Sequence, residues 1–156
     1  GWHRVRQLCD TFIDMDIDFK WFIIGEGYQE EQIAHAHNLL DRIKQVEFLG
    51  KQINPFPFVK QMDYLALLSD YESWGLVLTE AKILDVPCIA TDFPAAKEQV
   101  EDGKNGVILP MKTLTNYKEY GKIILENKEK FKENLKDFDF ELTNQESLKR
   151  WKEILG

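Results

Sequence analysis

Short apolar runs alternate with stretches of helical periodicity along most of this 156-residue chain. The runs are Phe19-Lys20-Trp21-Phe22-Ile23-Ile24, Val46-Glu47-Phe48-Leu49, Met62 to Leu68, Pro87-Cys88-Ile89-Ala90-Thr91 and Gly106-Val107-Ile108-Leu109. Between them the spacing of apolar residues predicts helices over 2–14, 29–43, 75–85 and 95–100. Two lysine- and glutamate-rich helices, roughly 113–133 and 142–155, are expected to finish the chain. Largely apolar strands joined by helices imply a parallel sheet covered on both faces. Right-handed crossovers then give an α/β, Rossmann-like, doubly wound arrangement. Ligands of such sheets sit beyond the carboxyl ends of the strands. The turns Gly25–Tyr28, Gly50–Asn54 and Ser69–Gly75 should therefore gather on one edge. The prolines of Asn54-Pro55-Phe56-Pro57 mark a loop, with one short helical turn after it. A doubly wound sheet normally begins with a strand, whereas Gly1-Trp2 opens directly onto a helix. Residues 1–156 are thus expected to be one domain of a longer protein.

Composition narrows the function classes. Hydrophobic residues make up 44% and charged residues 30%, as in ordinary globular domains. The net charge of −7 and the lack of a basic patch argue against nucleic acid as a partner. No apolar run has the length of a membrane span and no signal peptide is visible, so a cytoplasmic location is expected. Cys9 and Cys88 lie in apolar contexts and read as reduced core residues. In 118–136 the lysines are interleaved with Glu119, Glu126, Glu129 and Glu133, which reads as a solvated helix face.

The segment Glu72-Ser-Trp-Gly-Leu-Val-Leu-Thr-Glu80 carries the chemistry. On a helical wheel Ile83, Leu76, Leu84, Val77 and Ala81 share one apolar arc with Glu80 in its middle, which places Glu80 on the expected buried side. A carboxylate there is costly unless it is hydrogen-bonded, and such a conflict marks a functional site. Gly75 sits at the mouth of the helix, where the N–H groups of Leu76 and Val77 have no partner within the helix. With the helix dipole these donors suit a phosphate, and glycine lets it approach the backbone. The two oxygens of an ionised Glu80 match the two donors of a vicinal diol such as a ribose. Glu72 would repel a phosphate and better suits a sugar hydroxyl or a developing positive centre. Diphosphate at the helix mouth, ribose on one acid and sugar near the other describe a nucleotide-sugar site. The alternatives at this stage are a solvated Glu72 and a structural Glu80 paired with a buried cation.

Glu72 to Glu80 resembles the E-x7-E signature of the retaining GT-B glycosyltransferases of family 4, the glycosyl transferases group 1. The strand and turn Phe22-Ile23-Ile24-Gly25-Glu26-Gly27, then Val46-Glu47-Phe48-Leu49-Gly50, resemble further family motifs. So do Glu80-Ala81 followed by Val86-Pro87-Cys88-Ile89-Ala90-Thr91, and Glu98-Gln99-Val100 followed by Asp102-Gly103-Lys104-Asn105-Gly106. The series runs in order over roughly residues 1–110. The resemblance implies the C-terminal half of a GT-B fold and transfer of a sugar from a UDP- or GDP-linked donor with retention of configuration. A role in bacterial polysaccharide or cell-envelope synthesis follows from the same resemblance. No cofactor is required by it, and the reaction is usually metal-independent. Glu80 would hold the ribose and Glu72 the transferred sugar, as the catalytic carboxylate. The amides of Gly75 and Leu76 would bind phosphate, with Trp74, where the family often has Phe, beside them. Gly25 and Gly27 would line the sugar–phosphate pocket, and Gly50 and Lys51 would meet the base.

Family members have two domains, and this chain matches only the donor-binding one. The N-terminal acceptor domain, any membrane contact made through it, and the basic residues that usually precede the opening helix would lie elsewhere. The isolated chain is expected to be inactive as a transferase. Two other readings compete: a GT-B nucleotide-sugar epimerase or phosphorylase, and a non-enzymatic flavodoxin-like module. A receiver of the latter kind needs an acidic cluster after its first strand and an aspartate after its third, and neither is evident. His35 and His37 fall on different faces of their helix and cannot chelate together; His3 is read as a surface residue. Asp92 reads as a turn former, and Lys97 and Lys104 as surface residues. Leu148, Trp151 and Leu155 form a stripe whose default is core packing.

Overall fold

The computed structural model describes residues 1–25, 30–111, 116–136, 138–141, 143 and 145, with the backbone alone for 30–33. In chain order these form α1 (Trp2–Asp14), β1 (Trp21–Ile24), α2 (Glu30–Leu40), β2 (Val46–Gly50), α3 (Phe56–Val59) and β3 (Leu65–Leu67). Then follow α4 (Leu76–Ile83), β4 (Cys88–Thr91), α5 (Pro94–Gln99), β5 (Gly106–Leu109) and α6 (Tyr117–Leu135). The expected strand–helix order is present, including the helical turn after Pro55. The helix expected over 142–155, with the Leu148, Trp151 and Leu155 stripe, falls almost wholly outside the described residues.

All pairings of the named strands are parallel: β1 with β2, and β3–β4–β5 in that order. The expected single ladder is thus divided in two, and a register shift between Ile23 and Ile24 ends the regular part of β1. One core joins the pieces. Leu8 and Phe12 of α1, Leu68, Ile89, Val107 and Leu109 of the β3–β5 side, and Ile124 and Phe131 of α6 form its buried centre, with Trp21, Ile23, Val46 and Phe48 of β1 and β2 packed against it. The opposite face of β4 packs under α4 and α5, where Leu78, Ala81, Cys88, Ala90, Phe93 and Ala96 form a second cluster. Alternate β4 residues thus serve opposite layers, Ile89 one and Cys88 and Ala90 the other, as the pleat requires. All four β4 residues are buried, which is why this strand reads as an unbroken apolar run.

The amphipathic reading of α1 holds at Val5, Leu8, Cys9 and Phe12, all buried, while Ile13 is turned outward. Cys9 and Cys88 are free and buried. Desolvation pushes both thiols up to about 12, so they stay protonated and act as packing groups. Among the described residues no helix is long and apolar enough to cross a membrane.

Candidate functional site

The loop between β3 and α4 lies at the carboxyl end of its strand, where a parallel sheet places its ligands. Three side chains from other elements hold it. Arg4 of α1, only 5% exposed, donates to the Leu68 carbonyl at 3.3 Å, to Asp70 Oδ1 at 2.7 Å and to the Met111 carbonyl at 2.8 Å. Thr91 at the end of β4 donates its hydroxyl to the Ser69 carbonyl at 2.6 Å. Gln99 at the end of α5 bonds the Trp74 carbonyl and the Thr79 hydroxyl. The hydrogen bond from Arg4 is the largest influence holding the Asp70 carboxyl below its ordinary range. A depressed carboxyl contributes stability above the unfolded aspartate value, and that contribution is lost as pH falls through the lowered folded value. Asp70 is largely exposed, so the contribution is small.

Gly75 caps α4 with φ 73° and ψ 55°, a left-handed conformation that glycine adopts without steric cost. It is also tightly enclosed. A Cβ at this position would lie 2.9 Å from Leu67 Cδ2, 3.2 Å from Phe93 Cζ and 3.5 Å from Glu72 Cγ. The last distance shows that the stem of Glu72 passes close over the glycine. In the first turn of α4, Leu78 N–H donates to the Gly75 carbonyl at 2.9 Å. The N–H groups of Gly75, Leu76 and Val77 find no backbone acceptor among the described residues.

The wheel reading of α4 requires a correction. Three of the five residues of the arc expected to face inward are turned out, Leu76 at 67% exposed, Ile83 at 49% and Val77 at 38%, while Ala81 is buried and Leu84 packs against the core. The buried stripe is Leu78, Ala81 and Lys82. Periodicity establishes which residues share a face, whereas the cover over that face is a tertiary property. Lys82 enters the buried side because its stem is apolar and its ammonium lies 4.8 Å from the centre of the Phe138 ring. Desolvation is the main influence lowering its pKa. Glu80 therefore stands on the outward face, half-buried, with no hydrogen bond or ion pair to a described residue. Among the described residues no cation pairs with its charge. It lies beside the free N–H groups of the helix mouth, with Trp74 (46% exposed) and Tyr71 (88% exposed) on the loop that precedes it.

The remaining expected site residues divide into two groups. Gly25 N–H donates to the Gly50 carbonyl at 2.9 Å, so the turns after β1 and β2 are tied together. Lys51 follows on an exposed loop. Gly27 lies outside the described residues. No backbone–backbone hydrogen bond among the described residues links this pair of turns to the 69–75 loop. Lys97 pairs with Asp92 at 2.8 Å and Lys104 with Glu101 at 2.8 Å, in keeping with the surface reading of both lysines. His35, His37 and His3 are exposed, and the His37 ring stacks on Phe48 at 3.9 Å. An open hollow of about 470 Å³, lined by Asp92, Lys97, Asp102 and Tyr120 among others, includes none of the carboxylate–glycine residues. Sequence reasoning missed Arg4, Thr91 and Gln99. A polar residue in an amphipathic helix or at a strand end carries no local sign of a distant backbone partner.

A family model described as glycosyl transferases group 1 matches residues 2–138. The chain belongs to this family. Among its curated relatives is N-acetyl-alpha-D-glucosaminyl L-malate synthase of Bacillus anthracis, 35% identical over 107 residues, 67% of this chain and 28% of that protein. Among solved structures, a glycosyltransferase from Rickettsia africae superposes with a TM-score of 0.72 at 19% identity, covering 99% of this chain and 45% of its own. HepE of Anabaena, solved in complex with UDP, gives 0.71 at 23% identity, with 94% and 44% covered. These likenesses establish a Rossmann-like, GT-B-type fold for this group 1 domain. The chain spans less than half the length of each of these proteins.

Proposed function

We propose that residues 1–156 are the donor-binding domain of a retaining glycosyltransferase that takes a UDP- or GDP-linked sugar. The observation that carries this reading is the arrangement at α4: a half-buried Glu80 with no partner among the described residues, one turn into the helix from the N–H groups of Gly75, Leu76 and Val77, which have no backbone acceptor among the described residues. The N–H groups and the helix dipole suit the diphosphate. Glu80 accepts hydrogen bonds from the ribose diol. Glu72, carried over Gly75, contacts the transferred sugar and is the catalytic carboxylate of this reading. Trp74 flanks the helix mouth, and the tied turns at Gly25 and Gly50 with Lys51 meet the sugar–phosphate and base. As the diphosphate leaves, these donors stabilise the charge that develops on it, and no cofactor is required.

The UDP found in HepE supports a uridine nucleotide, and the Bacillus anthracis relative supports transfer of a sugar in bacterial metabolism. A cell-envelope or polysaccharide product, an acceptor-binding N-terminal domain and a cytoplasmic setting complete the proposal; the two free buried thiols suit a reducing compartment. An epimerase or phosphorylase would share the donor site but release no glycosylated acceptor.

Thermal unfolding of the chain with UDP, GDP and their sugars tests the reading. A nucleotide that binds the folded state at about a hundred times its Kd stabilises it by about 2.7 kcal/mol. A rise in Tm with one of them is expected, and no rise with any at millimolar concentration would refute donor binding. Incubated alone with that nucleotide sugar, the chain is expected to release no nucleoside diphosphate above the uncatalysed rate. Turnover by the chain alone would overturn the assignment of acceptor groups to a separate domain.

A further inference from the structure

We propose that Gln99 is a positioning residue of this site: its amide locks the Trp74–Gly75 peptide so that the Gly75 N–H faces the bound phosphate. The inference rests on the donor-site reading above and deepens it. Gln99 is only 5% exposed, and its chain neighbours Ala96 and Val100 are buried in one cluster with Leu78. An apolar side chain would fill such a place without the cost of burying an amide, so packing alone does not call for glutamine.

Its hydrogen bonds fix its orientation. The Trp74 carbonyl can only accept, so Nε2 donates to it. Oε1 is then left to accept from the Thr79 hydroxyl at 2.6 Å. One buried side chain thereby joins the residue before the Gly75 cap to the residue before Glu80. In a trans peptide the C=O and the following N–H point in opposite directions. Drawing the Trp74 carbonyl inward to Gln99 turns the Gly75 N–H outward, where it has no acceptor among the described residues. The backbone alone does not hold this orientation. Turning the peptide plane over changes φ of Gly75, and glycine tolerates either sign. A reversed plane would present a carbonyl oxygen to the anion in place of a donor. The hydrogen bond from Gln99 opposes that reversal.

The consequence is selective: phosphate binding depends on Gln99, and nucleoside binding does not. Gln99→Met keeps the volume and removes the donor. UDP affinity is expected to fall about ten-fold, equivalent to about 1.4 kcal/mol and within the range for a lost charge-assisted hydrogen bond. Uridine affinity should stay within about two-fold. GDP and guanosine replace this pair if GDP is the nucleotide bound. Thr79→Val leaves the Trp74 bond in place and should weaken UDP less than Gln99→Met does. A measurement on the unmodified protein runs beside these: with a 15N-glycine label, the Gly75 amide proton should move downfield on adding UDP but not uridine. Equal loss of UDP and uridine affinity, no loss of either, or a Gly75 amide indifferent to UDP would overturn the proposal. Failure of the unmodified protein to bind UDP or GDP at all would instead bring down the donor-site reading, and this proposal with it.

Discussion

Gly75→Ala is expected to destabilise the domain by about 2–5 kcal/mol and to abolish nucleotide binding. Two costs combine. An L-residue at φ 73° is strained by about 1–2 kcal/mol. The added methyl meets Leu67 Cδ2 at 2.9 Å and Phe93 Cζ at 3.2 Å, and overpacking of this kind typically costs about 1–3 kcal/mol. Phe93 is among the most completely buried side chains, so it has little room to yield. Against a typical domain stability of about 5–15 kcal/mol the loss is large but leaves a folded fraction to assay. Relief of the strain would shift the helix mouth, and with it the N–H groups and the stem of Glu72. Urea unfolding should show a lower midpoint with an unchanged slope. A stability within about 0.5 kcal/mol of the unmodified chain would show that the cap is not confined as described.

Much of this fold was legible because its strands and helices obey different periods. β4 reads as a strand from five consecutive uncharged residues and is buried throughout. α1 reads as a helix from an apolar stripe that does pack on α6 and α2. The failures share one cause. The orientation of α4 depended on what covers its apolar arc, and a sequence read one element at a time does not hold that information. Leu76, Val77 and Ile83 look like core residues and line an open face, while Lys82 looks like a surface residue and is buried. The division of the strands into two ladders is likewise a matter of how distant segments meet.

The candidate site was legible in a different way. Glu72, Gly75 and Glu80 were singled out by their spacing and by an ordered series of motifs, and the structure brings the stem of Glu72 close to Gly75 at the mouth of the helix that carries Glu80. The reason first given for Glu80, a charge on a buried face, does not survive. Its half-buried place on the outward face lessens the desolvation penalty that a fully buried carboxylate carries and leaves the group open to a ligand. Gln99 stood in the Glu98-Gln99-Val100 motif, but nothing there marked it as a hydrogen-bonding residue, since its two partners, Trp74 and Thr79, lie 25 and 20 residues away.

The central claim is that Glu80 grips the two ribose hydroxyls of the nucleotide. Hydrogen bonds from neutral donors to a carboxylate contribute about 1.5–3 kcal/mol each. UDP should therefore bind the unmodified chain at least about a hundred-fold more tightly than its 2′,3′-dideoxy analogue. The direct measurement is a cycle in which UDP and the dideoxy analogue are each titrated by calorimetry against the unmodified chain and Glu80→Ala. If the carboxylate and the diol are partners, the preference for UDP vanishes in Glu80→Ala. An undiminished preference for UDP in that variant would contradict the account.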